Sequence, residues 1–251
     1  RLKGERRNKK VFYGSFQDTA EEYGISDLLD RWVLFNEATG IRALSTYMTL
    51  ISNVGLAYIL NFSLMRIEEG AKLRSNCHEV ERDQLGDDIH ILKGVTTKTI
   101  EDNDARWIVS PSVEVALKAM KSVAFMRLKA AKENPFITLS KEDIENPLLQ
   151  SLPHEPWSAR CPKAHDSKKY KKIRSYGDIS KNLWPKLFDD RELTITEADL
   201  EMANRMTFGL DPEKFAVGKV WPLAWHQLRR TGAVNMLASG LVTEASLQYQ
   251  L

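Results

Sequence analysis

The sequence predicts a mainly helical fold with a small antiparallel β-sheet, on three observations. Two long segments, "IRALSTYMTLISNVGLAYILNFSLM" and "SVEVALKAMKSVAFMRLKAAKE", keep apolar residues at the three-to-four spacing of an α-helix. Between them the period falls to two: "DDIHILKGVTTK" and "DARWIVSP" are β-branched, alternating runs separated by the polar "TIEDN", the pattern of a hairpin. At 251 residues and 43% hydrophobic content, the chain is long enough to enclose a sizeable core.

Taken in order, the chain opens on the basic stretch "RLKGERRNKK", followed by a lead-in core helix over "TAEEYGISDLLDRWVLFNEATG". The first long helix ends near Met65, and a short one, "RIEEGAKLR", follows directly. The hairpin comes next. The second long helix is begun by Ser110 and Pro111, since proline fits the first helical turn. Residues 134–191 are rich in Pro, Lys and Ser with weak periodicity, which reads as an insertion or lid on the surface. "TITEADLEMANRMTFGL" starts a helix with Thr and Glu at capping positions, and "VTEASLQYQL" closes the sequence as helix. This divides the chain into a basic lead-in over 1–44 and one domain over 45–251.

Bulk properties exclude several classes. Mean hydropathy is −0.37, and no apolar run approaches twenty residues, so a membrane span is not expected. The basic start lacks a following apolar segment and does not read as a secretory signal. Cys77 and Cys161 are too few for a disulfide framework and suit a reducing cytoplasm. The net charge of +2 is unremarkable, but six of the first ten residues are Lys or Arg, and six more surround Tyr170 between Lys163 and Arg174. Basic runs interleaved with aromatics are what a phosphate backbone attracts. Neither a Walker loop nor a nucleophile elbow is present. His154, Cys161, His165, Cys77 and His78 match no standard zinc spacing and read as incidental.

The stretch "WPLAWHQLRRTGAVNML" (Trp221–Leu237) carries the sharpest signal. At 100° per residue, Met236, Arg229, Ala233, His226, Leu237, Arg230, Leu241 and Val234 share one arc, so His226 and Arg229 fall on the side expected to face the core. Buried cations need an anion. A carboxylate would serve, and so would an anionic ligand held by both groups, which sit side by side at i and i+3.

With Arg66 opening a helix, Lys93 and Lys98 on the hairpin, and the His226/Arg229 pair in that order, the sequence resembles the catalytic domain of the tyrosine recombinases, the phage-integrase family. "MRIEEGAKLR" is similar to the first-arginine box through Arg66, Ile67, Glu69 and Leu73, and "HQLRRTGAVNML" to the second, His-x-x-Arg with a following basic residue and Thr. The resemblance spans roughly Ser45 to Leu251. It implies the DNA breaking-rejoining fold and site-specific strand exchange on duplex DNA, without metal or other cofactor, by a tetramer assembled on paired attachment sites. It further implies integration or excision of a phage or other mobile element, in a bacterial cytoplasm. In that chemistry a tyrosine attacks a phosphodiester to give a 3′-phosphotyrosyl enzyme. Arg66 and Arg229 would stabilise charge on the phosphate, His226 would bind it and assist proton transfer, and Lys98 would protonate the leaving 5′ oxygen. Glu69 would orient Arg66. Lys93, Arg230 and the run Lys168, Lys169, Lys171 and Lys172 would contact DNA.

The sequence departs from the family pattern in three places. Leu64 stands where the family usually has Gly, two places before the first arginine. From Arg66 to His226 is 160 residues, long for the family, which is why 134–191 is read as an insertion. The family's second His or Trp and its nucleophilic tyrosine are expected beyond Leu251, leaving Tyr249 as a packing residue. The alternatives are a non-catalytic DNA-binding relative, which would keep the fold and lose the nucleophile, and a type IB topoisomerase-like enzyme.

Overall fold

A computed structural model describes residues 14–33, 40–96, 102–158 and 173–251. It is mainly helical, with one three-stranded antiparallel sheet. The expected lead-in helix is instead two short ones, α1 (Phe16–Glu22) and α2 (Ser26–Trp32). Gly24 between them takes φ +64°, which an L side chain resists, so the helical path breaks there. Helix α3 (Ile41–Ser63) follows, then α4 (Ile67–Ala71).

The sheet holds β1 (His78–Arg82), β2 (Asp88–Thr96) and β3 (Asp102–Val109) in that order. The hairpin expected from the alternation is β2 and β3, with Leu92 opposite Trp107; Lys98 and the rest of 97–101 lie outside the described residues. β1 is an additional strand. Its one apolar residue, Val80, is half exposed, so "HEVER" has no alternation to betray it.

Helix α5 (Val113–Lys132) packs along α3, and together with the inner face of the sheet they enclose the main core of Leu56, Ile59, Leu92, Trp107, Leu117 and Met120. α3 is long and apolar enough to cross a membrane by length and composition, contrary to the expectation that no run would be; half of it is buried inside the fold, and its buried residues include Ser45, Ser52, Asn53 and Ser63.

The surface reading of 134–191 is corrected over its described parts. Short α6 (Lys141–Glu145) leads to Leu149, which is wholly buried in the main core. Further on, α7 (Tyr176–Asp178) runs into a π-type turn, and Ile179 and Trp184 bury against Leu50 of α3. Glu155 is also interior: its Oε1 lies 3.3 Å from Nε of Arg127 on α5. Arg127 donates further to the Ser151 carbonyl (3.0 Å) and the Thr49 hydroxyl (2.8 Å), and Ser45 Oγ donates to Glu155 (3.1 Å). Burial pulls the Arg127 pKa down while Glu155 opposes it. Residues 159–172, with Cys161, His165, Lys168, Lys169, Lys171 and Lys172, lie outside the described residues.

Three further helices complete the chain: α8 (Glu197–Met206), α9 (Trp225–Ala238) and α10 (Glu244–Gln250). α8 begins on a reciprocal cap between Thr196 and Asp199.

The inward arc of α9 differs from the one the sequence suggested. Trp225 and Leu228 pack against the main core, while His226 and Arg230 are exposed and Leu237 and Leu241 point largely to solvent. Gly232 allows this. A Cβ added there would stand 2.3 Å from Leu64 Cδ2, so the bare backbone of α9 lies directly on that side chain. Leu64 caps α3 with φ 57° and ψ 15°, a left-handed conformation costly for leucine, and is itself wholly buried. It is the position where the family resemblance calls for glycine, and here the leucine side chain fills the α3–α9 seam. Gly232→Ala is therefore expected to destabilise the fold by about 1–3 kcal/mol through overpacking. Adding Leu64→Ala should remove the overlap, so the two changes should be less than additive in a denaturant-unfolding cycle. Strict additivity would show that the seam does not exist.

Candidate functional site

The turn at Leu64 delivers Met65 to the core and Arg66 to the start of α4. Glu69, one turn on, is only 6% exposed and holds Arg66 twice: Oε2 accepts from the Arg66 backbone N–H at 2.7 Å, and Oε1 sits 3.0 Å from Nη1. Thr96 at the end of β2 donates its hydroxyl to the same Oε1 at 2.8 Å. A carboxylate fixed by both a helix and a strand leaves the guanidinium little choice of direction. This is the orienting contact expected of Glu69, and Thr96 is a partner with no mark in the sequence.

From the other end of the chain, α9 brings in Arg229. Its start is pinned by Gln227, which accepts from the Ala224 backbone N–H (2.9 Å), and by Trp225, whose indole donates to the Arg174 carbonyl (2.8 Å) and stacks on Tyr176 with ring centroids 4.6 Å apart. Arg229 is half-buried. Its pKa is lowered by burial first and then by the nearby Arg66 guanidinium, with Glu69 pulling the other way. Arg229 also donates to the Leu251 carbonyl oxygen at the end of α10. Among the described residues it has no carboxylate of its own.

Arg66, Arg229, His226 and Arg230 share one cavity of about 730 Å³, also lined by Glu68, Lys72, Val95 and Ala233. Among the described residues, four cations, Arg66, Lys72, Arg229 and Arg230, thus face two carboxylates there, and one of these, Glu69, is already engaged.

No protein-family model matches the chain, and no curated protein matches it.

The cavity's chemistry follows from its donors. Two guanidiniums carry forked N–H groups that fit the oxygens of a phosphate or carboxylate, and a partly desolvated site makes each contact stronger than in water. His226 adds a group able to donate or accept a proton. Among the described residues of the lining there is no Ser, Cys, Thr or Tyr to serve as a conventional nucleophile. Tyr249 lies on α10, which packs against α9 and β3.

The other candidates fall elsewhere. Lys93 is turned to the outer face of the sheet, where Nζ meets Glu79 Oε2 at 2.9 Å and Asp104 Oδ1 at 3.8 Å. The hydrogen bond to Glu79 raises its pKa, and it is not part of the cavity wall. Lys72 is a wall residue that sequence reasoning passed over. It follows Arg66 by six positions, off the i+3 and i+4 spacings that mark a shared face, so only the end of α4 brings it into view.

Proposed function

We propose that this chain is the catalytic portion of a site-specific DNA recombinase of the tyrosine type, with the DNA breaking-rejoining fold, acting on duplex attachment sites. The observation that carries the reading is the convergence of Arg66 and Arg229, 163 residues apart in sequence, on one cavity with His226 beside them. Paired guanidiniums without a matching pair of free carboxylates make a receptor for an anion carrying several oxygens. A phosphodiester passing through a pentacoordinate transition state is such an anion, and prearranged cations stabilise the charge it gains. Arg66, positioned by Glu69 and Thr96, and Arg229 hold the non-bridging oxygens; His226 binds the same phosphate and moves a proton; Lys98 supplies one to the leaving 5′ oxygen. In this chemistry the attacking group is a tyrosine. Arg230 and the lysines at 168, 169, 171 and 172 track the flanking backbone. The biological role is integration and excision of a phage or other mobile element, by a tetramer on DNA in the bacterial cytoplasm.

Duplex affinity measured by fluorescence anisotropy across a salt series tests this. Displacement of counterions from about four phosphates should cost on the order of 100-fold in affinity between about 50 and 200 mM salt. Replacing Lys168, Lys169, Lys171 and Lys172 by Ala should flatten the slope and weaken all sequences alike. An affinity indifferent to salt would remove DNA as the partner.

A further inference from the structure

A second cluster of chemistry-bearing side chains lies on the inner face of the sheet, apart from the arginine cavity. The register of β1 and β2 pairs His78 with Leu92 and Val80 with His90, which makes His78 and His90 diagonal neighbours on one face. Glu114, in the first turn of α5, meets them from the other side. His78 Nε2 is 3.0 Å from His90 Nδ1, and Glu114 Oε1 is 3.5 Å from that same nitrogen. The ligating atoms of all three lie within 4.8 Å of one another.

Hydrogen bonding alone serves this arrangement poorly. An imidazole nitrogen has a single in-plane direction, carrying either a proton or a lone pair. His90 Nδ1 can give a full hydrogen bond to only one of His78 Nε2 and the Glu114 carboxylate. A cation between them would give all three an acceptor for their electron pairs. Two of the three separations fit: four ligands around zinc at 2.0–2.1 Å leave neighbouring donor atoms about 3.3 Å apart, a value that 3.0 and 3.5 Å bracket, and the third lies within 4.8 Å.

We propose that His78, His90 and Glu114 form a binding site for one zinc-class divalent cation, clipping the first two strands to the start of α5. Its fourth position opens toward a cavity of about 750 Å³ lined by His78, Glu114, Lys118, Lys121 and Phe125, where water completes the coordination. Two imidazoles and one carboxylate with an open position are a set that zinc accepts. The site stands independently of the arginine cavity and of the reaction proposed there.

The test uses the whole chain, stripped with a chelator and titrated with zinc by calorimetry and with cobalt(II) by visible absorption. One equivalent should bind, with the intense absorption of a four- or five-coordinate cobalt centre, and melting temperature should rise with metal concentration. Glu114→Gln, at an exposed position on a helix, should leave the fold intact and weaken binding at least tenfold; His90→Ala should abolish the cobalt band. Arg66→Lys should leave metal binding unchanged. Failure of the wild-type chain to bind zinc would overturn the proposal. So would binding retained in both His90→Ala and Glu114→Gln, which would place the metal on other ligands.

Discussion

Replacing Arg127 with Met should lower the stability of the fold by about 3–5 kcal/mol, because it strands Glu155 as a lone charge in the interior. Arg127 is 1% exposed and Glu155 2%, so water cannot take over the lost contacts. Glu155 Oε2 already lacks a partner among the described residues, and after the change its other oxygen would keep only the Ser45 hydroxyl. The Ser151 carbonyl and Thr49 hydroxyl would lose their donor as well. For a chain of this size the melting temperature should fall by about 10 °C. The double change Arg127→Met with Glu155→Leu should recover most of the loss, since the expense of a buried pair lies in breaking it, not in lacking it. A single-variant loss under about 1 kcal/mol in urea unfolding would mean that Glu155 reaches solvent in the folded chain.

The second large effect concerns the arginine cavity. In a protein that carries the nucleophilic tyrosine, Arg66→Lys and Arg229→Lys should each reduce covalent joining to a nicked suicide duplex at least about 100-fold, the scale of removing one prearranged donor from a transition-state site. An ammonium keeps the charge but not the fork that spans two phosphate oxygens. Duplex affinity should therefore change by only a few-fold. Lys98→Ala should also slow joining, and a substrate with a 5′-thiol leaving group should restore much of its rate while leaving the arginine variants slow. If affinity and joining fall together in the arginine variants, the two residues act as structural supports and the recombinase reading fails.

The long helices α3 and α5 are legible because their apolar faces are continuous and the core they build is formed from those same residues. Strand β1 is not, because it is recruited by pairing with β2 and offers the core almost no apolar surface. The error over α9 has a definite cause. Periodicity weighs apolar side chains, whereas this helix docks through Trp225, Leu228 and the absence of a side chain at Gly232, while Leu241 beyond its end is 88% exposed. His226, Arg229 and Arg66 were readable as residues of interest from their types and order. Their shared cavity was not, since it depends on how two distant elements meet. The Arg127–Glu155 pair illustrates the same limit: a charged residue on a helix and another in a Pro-rich stretch carry no mark in sequence of burying one another.

The meeting of α9 with Leu64 has a thermodynamic consequence for whatever occupies the cavity. Arg66 stands on the α3–α4 side of that seam and Arg229 on the α9 side, and α9 has no fully buried residue to hold it down. Elements docked so lightly open at free energies well below that of global unfolding. An anion bridging the two guanidiniums can bind strongly only while the seam is closed, so its measured affinity is its intrinsic affinity scaled by the closed fraction. Each bridging ligand in turn raises that fraction. Occupancy of the site and the docking of α9 are then a single linked equilibrium, and the side-chain-free contact at Gly232 sets its balance point from outside the cavity.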